Sequence, residues 1–287
     1  MMKYRMLALD IDGTLFDSTG RPPQANLDAV RRAREAGILV VLCTGRGLKE
    51  SASAIAALDH DGPLVLANGA LISDPKTGRT LHRAVIEPHR SLPVVEFLSQ
   101  SEDAVLVLLD PSEVEHDYLV IRPERLTRNT RWWFDHVGAT YRGVDRVSEA
   151  DLHHAVRVGI VGPASHMPPV QQALLERFGD GLFVQHFMAV DEDAADGEPI
   201  HVLEVFNEGV NKWSALEQLA RQHRIDVGEV AAIGDHINDV QMIRGAGCGI
   251  AMANAVAQVR ENANYHTASN DAAGVAEAID KLLSGQW

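Results

Sequence analysis

Three things are scarce in this chain, and each absence narrows what it does. There are two cysteines in 287 residues, Cys43 and Cys248, each inside an apolar, strand-like run with no metal-ligand spacing around it. That excludes a disulfide framework, and both read as reduced, buried thiols of an intracellular protein. No apolar run reaches membrane-spanning length. The short apolar run after Lys3 and Arg5 is broken by Asp10, so the amino terminus does not read as a signal peptide. Basic residues are also short: 26 Lys and Arg against 40 Asp and Glu leave a formal net charge of −14. That balance argues against nucleic acid or an anionic membrane as partner. No internal repeat or low-complexity segment stands out. A soluble, cytoplasmic protein is expected, with 46% hydrophobic residues to build one large domain or two modest ones.

What is present is an alternation of short apolar runs and helical patterns. Residues 6–9, 38–43 and 64–67 read as strands, separated by helices over 27–36 and 48–58. Such alternation predicts βαβ units and a parallel sheet covered on both faces. Residues 71–73 and 80–83 flank Asp74-Pro75-Lys76-Thr77-Gly78, a hairpin turn. From about residue 84 the texture becomes mixed α+β. Helices are expected over 89–100 and 170–178, with strands at 104–109, 118–121, 156–161, 182–185 and 201–206. Clean alternation returns with helix 212–223, strand 230–233, a helix near 240, strand 249–252 and helix 274–283. The expected architecture is an α/β core, residues 1–83 and 207–287, interrupted by an α+β domain over 84–206.

In an open parallel sheet, ligands sit outside the carboxyl ends of the strands. The first strand ends at Asp10-Ile11-Asp12-Gly13-Thr14-Leu15, the second at Thr44-Gly45-Arg46, the third at Asn68-Gly69-Ala70, and strand 230–233 at Gly234-Asp235-His236-Ile237-Asn238-Asp239. Lys212 opens a helix. A calcium loop is excluded on spacing, since its fifth, sixth and twelfth positions would be Thr14, Leu15 and Arg21. Polar residues from four strands collecting at one sheet edge predict a site for phosphoryl transfer, which needs a nucleophile, neutralised charge and a proton for the leaving oxygen. Asp10 is suited to nucleophilic attack and Asp12 to acid/base work. Thr44 offers a hydroxyl and Lys212 an ammonium to phosphoryl oxygens. Four carboxylates, Asp10, Asp12, Asp235 and Asp239, would repel a phosphate unless a divalent cation offset them, and all-oxygen ligation points to Mg²⁺.

Asp10 to Leu15, Thr44-Gly45-Arg46, Lys212 in Gly209-Val210-Asn211-Lys212, and Gly234 to Asp239, in this order, resemble the four motifs of the haloacid dehalogenase superfamily, and within it the Cof-type phosphatases with a large inserted cap (subfamily IIB). Asn68-Gly69-Ala70, Met252-Ala253-Asn254-Ala255 and the stretch from Ser269 to Ala276 match weaker signatures of that branch. The resemblance implies an α/β Rossmann-like core, a cap over 84–206 that closes on the site, and Mg²⁺ as cofactor. It implies Asp10 as nucleophile and metal ligand, and Asp12 as acid/base with its backbone carbonyl on the metal. Asp235 would bind Mg²⁺, and Asn238 and Asp239 would complete or support the metal site. Thr44, Gly45 and Lys212 would hold the phosphoryl group. Arg46 and Asn68 are read either as substrate contacts or as ties between loops. The substrate class implied is small phosphorylated metabolites, sugar phosphates first. Two rival readings keep the same fold: a phosphomutase, or a non-catalytic phosphate sensor, against which the intact acids argue. The oligomeric state has no signal.

Two positions depart from the family pattern. Trp213 stands where Gly commonly follows the lysine, and is expected either to narrow the phosphate end or to pack on the core. Ala273 stands where Asp commonly precedes Gly-Val-Ala, and is expected to lose a supporting contact around the site without removing any group that touches substrate or metal. Trp132-Trp133 is expected to pack inside the cap, in preference to lining the substrate cavity or a dimer contact. The acidic stretch 191–198 reads as a solvated loop. His153-His154 lacks ligand spacing, and Gly245-Ala246-Gly247-Cys248-Gly249, preceding a strand, is not a dinucleotide loop.

Overall fold

The computed structural model describes residues 3–179, 181–190 and 200–287, and its chain divides into two compact units. One comprises Met1–Leu81 with Asn211–Trp287, the other His82–Val210. The stretch 191–198 lies outside the described residues.

In the first unit the chain runs β1 (Met6–Asp10), α1 (Gln24–Glu35), β2 (Leu39–Cys43), α2 (Ala52–Leu58), β3 (Leu64–Leu66), β4 (Leu71–Ser73) and β5 (Thr80–Arg83). The second unit runs α3 (Pro88–Leu98), β6 (Val105–Leu109), β7 (Tyr118–Ile121), α4 (Arg128–Val137), β8 (Tyr141–Val144), β9 (Ala155–Pro163), α5 (Met167–Phe178), β10 (Leu182–Val190) and β11 (Ile200–Asn207). The chain then returns to the first unit through α6 (Lys212–Gln222), β12 (Val230–Gly234), α7 (Val240–Gly245), β13 (Cys248–Ala251), α8 (Ala257–Asn262), β14 (Tyr265–His266) and α9 (Gly274–Leu283).

The first unit's sheet has the order β14-β13-β12-β1-β2-β3-β4-β5. Pairing is parallel from β14 through β3, and β4 reverses against β3. The central strands are continuous apolar runs (Met-Leu-Ala-Leu in β1, Val-Val-Leu-Cys in β2), buried throughout because helices cover both faces. Crossovers lead from β1 to β2 and β3 on one side and from β12 to β13 and β14 on the other. The strand order therefore reverses between β1 and β12, and the crevice at their carboxyl ends is where such sheets bind ligands.

The second unit is a six-stranded sheet, β10-β11-β9-β6-β7-β8, antiparallel except for β8, which runs parallel to β7. Val94, Val95 and Leu98 of α3, and Met167 and Leu174 of α5, pack with Val105, Val107, Val158, Ile160, Leu203 and Val205 of the sheet. Sequence pattern missed α4 and β8. α4 opens with Thr127, whose Oγ1 caps the Thr130 N–H, but its Trp-Trp-Phe run has low helix propensity. β8, Tyr-Arg-Gly-Val, is a largely exposed edge strand with no apolar alternation.

Three expectations about single residues resolve. Trp132 does not pack inside its unit: it is 62% exposed and stacks on His136 with ring centroids 4.8 Å apart. Trp133 is the inward ring, edge-on to Tyr118 at 6.2 Å. Trp213 packs on the core, its indole so close over Gly245 that a Cβ there would fall 2.2 Å from Cε2. Glycine at the end of α7 is what admits the ring. Ala273 adopts φ 54° and caps α9 without a side-chain acceptor, a left-handed conformation that Asp tolerates better than Ala. Ala273→Gly should therefore raise stability by about 0.5–1 kcal/mol, read as a higher urea midpoint with unchanged circular dichroism.

Candidate active site

The site assembles where the topology reverses. Asp10 ends β1, level with Cys43 of β2, and Asp235 follows the last residue of β12 directly. Lys212 is the first residue of α6, whose N-cap Asn211 accepts from the Ser214 N–H at 2.9 Å. The lysine is fully buried. Its Nζ donates to Asp10 Oδ1 at 2.6 Å and to Asp239 Oδ1 at 2.6 Å. Asp239 Oδ2 accepts from the backbone N–H groups of Asp235 (2.9 Å) and His236 (3.0 Å). Asp235 Oδ1 accepts from the Thr14 hydroxyl at 2.5 Å.

Burial dominates the electrostatics. It raises the Asp10 carboxyl well above the ordinary carboxylate range, with the Asp239 charge adding to it and Lys212 opposing. Burial, then Asp239, pushes Asp235 up to about 7 against the Thr14 hydrogen bond and Lys212. For Lys212 burial works against the charge, but Asp10 and Asp239 override it and the ammonium is held protonated. A ligand oxygen from each of Asp10, Asp235 and Asp239 lies within 4.8 Å of the others. Three carboxylates against one ammonium leave two negative charges when all ionise. A divalent, oxygen-seeking cation fits that donor set and that deficit. Both Asp239 oxygens are engaged by N–H donors, so Asp10 and Asp235 are the side chains best disposed to hold it.

Residues 11–15 form one wide turn, closed by the Phe16 N–H donating to Ile11 O at 2.9 Å. Gly13 sits in it at φ 74°, and a Cβ there would lie 2.4 Å from Asp235 Oδ2, so only glycine allows the two loops to meet. Asparagines hold the turn's carbonyls. Asn254 donates to Gly13 O at 2.8 Å, Asn26 to Leu15 O at 3.1 Å and Asn270 to Phe16 O at 3.0 Å. Asn254 and Asn270 fell within the weaker sequence signatures. Asn26, which also accepts from the Ala276 N–H at 3.1 Å, had no sequence signal, and neither did the Thr14 contact.

The remaining sequence-derived residues fall around this centre. Thr44 is buried one residue beyond β2, its Oγ1 accepting from the Arg46 N–H at 3.1 Å. Gly45 lies against the Asn68 amide. Asn68, in the left-handed region at φ 56°, accepts from Asn238 Nδ2 at 2.8 Å. That bond ties the turn after β3 to the turn after β12. Asp12 is the outer acid, its side chain 55% exposed, and Arg46 grips both its oxygens: Nε to Oδ2 at 2.8 Å and Nη2 to Oδ1 at 2.5 Å.

A family profile described as haloacid dehalogenase-like hydrolase matches residues 7–279. The chain belongs to this family. Among curated members of similar sequence, 5-amino-6-(5-phospho-D-ribitylamino)uracil phosphatase YwtE of Bacillus subtilis is 28% identical, with 99% of each chain covered. Phosphoglycolate phosphatase of Methanothermobacter thermautotrophicus is also 28% identical, over 97% of this chain and 99% of its own. A haloacid dehalogenase-like hydrolase of Bacteroides thetaiotaomicron superposes with TM-score 0.79 at 26% identity, covering 97% of this chain and 99% of that one. The architecture of this hydrolase is thus the α/β fold of the superfamily. No helix among the described residues is long and apolar enough to cross a membrane.

Two outcomes test the electrostatics. Lys212→Met strands two buried carboxylates without their cation and should cost about 3–5 kcal/mol in urea unfolding. The Asp235 pKa is raised on folding, so its contribution to stability is full below about 4 and is lost as pH rises through about 7. In chelator, the urea midpoint of the wild type should therefore fall from pH 5 to pH 8 more steeply than that of Asp235→Asn; parallel curves would acquit Asp235.

Proposed function

We propose that this hydrolase is a Mg²⁺-dependent phosphatase that acts on small phosphorylated metabolites, sugar phosphates foremost, through an aspartyl-phosphate on Asp10. The observation that carries the reading is the buried Lys212 ammonium between Asp10 and Asp239, with Asp235 beside them, at the switch point of a parallel sheet. The phosphatase relatives support the reaction class. The phosphorylated ribityl chain in one relative's name supports the substrate class.

In this reading Asp10 and Asp235, with the Asp12 backbone carbonyl, hold Mg²⁺, while Asp239 and Asn238 support them. When bound, the cation supplies positive charge that favours the ionised carboxylates and offsets the phosphate. Lys212 fixes one oxygen of Asp10, and with Thr44 it offers donors to the phosphoryl oxygens. An Asp10 oxygen forms a bond to phosphorus as the ester P–O bond breaks, and Asp12 gives its proton to the leaving oxygen. Asp12, now a carboxylate, takes a proton from water as that water attacks phosphorus, releasing phosphate and restoring Asp10. The unit containing these residues is the catalytic core, and the unit His82–Val210 is the substrate-specificity domain.

The test is phosphate release from a panel of sugar phosphates and other phosphorylated metabolites with Mg²⁺ present. Asp10→Asn should lower turnover by more than about 10³-fold with unchanged circular dichroism, and full activity in that variant would overturn the mechanism. Asp235→Ala should shift the Mg²⁺ titration of activity to higher concentration; an unmoved curve would remove Asp235 from the metal site.

A further inference from the structure

Asp12 stands apart from the other acids of the site. Lys212 takes Asp10 and Asp239, and Thr14 takes Asp235. The Asp12 side chain, more than half exposed on the turn after β1, is gripped by Arg46 instead. The grip is bidentate, one guanidinium edge to both carboxylate oxygens, which fixes direction as well as distance. Arg46 is itself immobilised. Its Nη1 donates to Glu50 O at 2.9 Å, its guanidinium carbon lies 5.9 Å from the Phe16 ring centroid, and its backbone N–H donates to Thr44 Oγ1. An arginine serving the phosphoryl group would aim its fork at the acceptors around Asp10. This one directs its fork to Asp12.

We propose that Arg46 is the positioning residue of the acid/base Asp12: its fork holds the carboxyl in the orientation from which the proton reaches the leaving oxygen. The role rests on the phosphatase reading above. Freed from the fork, an exposed aspartate on a turn samples several rotamers, and a displacement of about 1 Å at a catalytic group costs on the order of 10²-fold in rate. The loss falls on proton delivery and therefore grows as the leaving group becomes more basic. A phosphate-binding arginine would give a loss independent of the leaving group.

The experiment compares kcat/KM, which reports transfer to Asp10, for p-nitrophenyl phosphate, phenyl phosphate and glycerol phosphate. Inhibition by inorganic phosphate is measured alongside. Arg46→Ala should lower kcat/KM for glycerol phosphate by about 10²-fold while changing p-nitrophenyl phosphate by less than about 5-fold, with phosphate inhibition unchanged. Arg46→Lys keeps the charge but cannot span two oxygens, so it should show the same leaving-group dependence at smaller size, which guards against a misfolded Ala variant. In an Asp12→Asn background, Arg46→Ala should cost nothing further. Equal losses across the three esters, weaker phosphate inhibition, or additive losses in the double variant would overturn the role. A wild type that releases phosphate from none of these esters or of the metabolite panel would instead overturn the phosphatase reading, and this role with it.

Discussion

One ammonium group organises the first unit's chemistry. Lys212 is fully buried, and burial works against its charge. It stays charged because Asp10 and Asp239 lie within hydrogen-bond reach. The dependence is mutual, since the carboxylates are equally costly to bury without it. Each partner comes from a different element: the end of β1, the start of α6 and the turn after β12. The ion cluster thus joins three pieces of backbone that the sheet alone would leave as separate loop ends. With Asp235 beside Asp10 and Asp239, three carboxylates against this one ammonium leave two negative charges when all ionise, which suits a divalent cation.

Around this cluster the backbone is held by amides rather than charges. Asn254, Asn26 and Asn270 each donate to a carbonyl of the turn that carries Asp12 and Thr14, and Asn68 with Asn238 ties two further turns. Amides suit the task because they offer a donor and an acceptor without adding charge to an already acidic site. Gly13 completes the arrangement by leaving space for Asp235.

Much of this was legible in the sequence, for a physical reason. Polar residues at strand ends follow short apolar runs, so Asp10, Thr44 and Asp235 announce themselves by position, and Lys212 by heading a helical pattern. Relations set by tertiary approach were not legible. Nothing around Asn26 distinguishes it from any polar residue in a surface helix, yet its amide reaches Leu15 and Ala276. Arg46 carried the right charge near the right place, but its partner is chosen by a turn 34 residues away. Trp132 shows the opposite limit: hydrophobicity predicted burial, and the face of α4 on which the residue falls put it in solvent. The substitution at Ala273 looked like a missing contact and is also a backbone matter, an alanine in a conformation that favours other residues.

The clamps on the turn after β1 carry a consequence for how the protein comes into being. The hydrogen bonds from Lys212 to Asp10 and from Asn270 to Phe16 span 202 and 254 residues of sequence. Contacts of such separation close late, because the intervening chain must be ordered before they can form. On the ribosome Asp10 is made 202 residues before Lys212, and Asn270 follows later still. Partially synthesised chains therefore carry the acid without the machinery around it. Synthesis of the segment from Lys212 to Asn270 is thus what lets these contacts form.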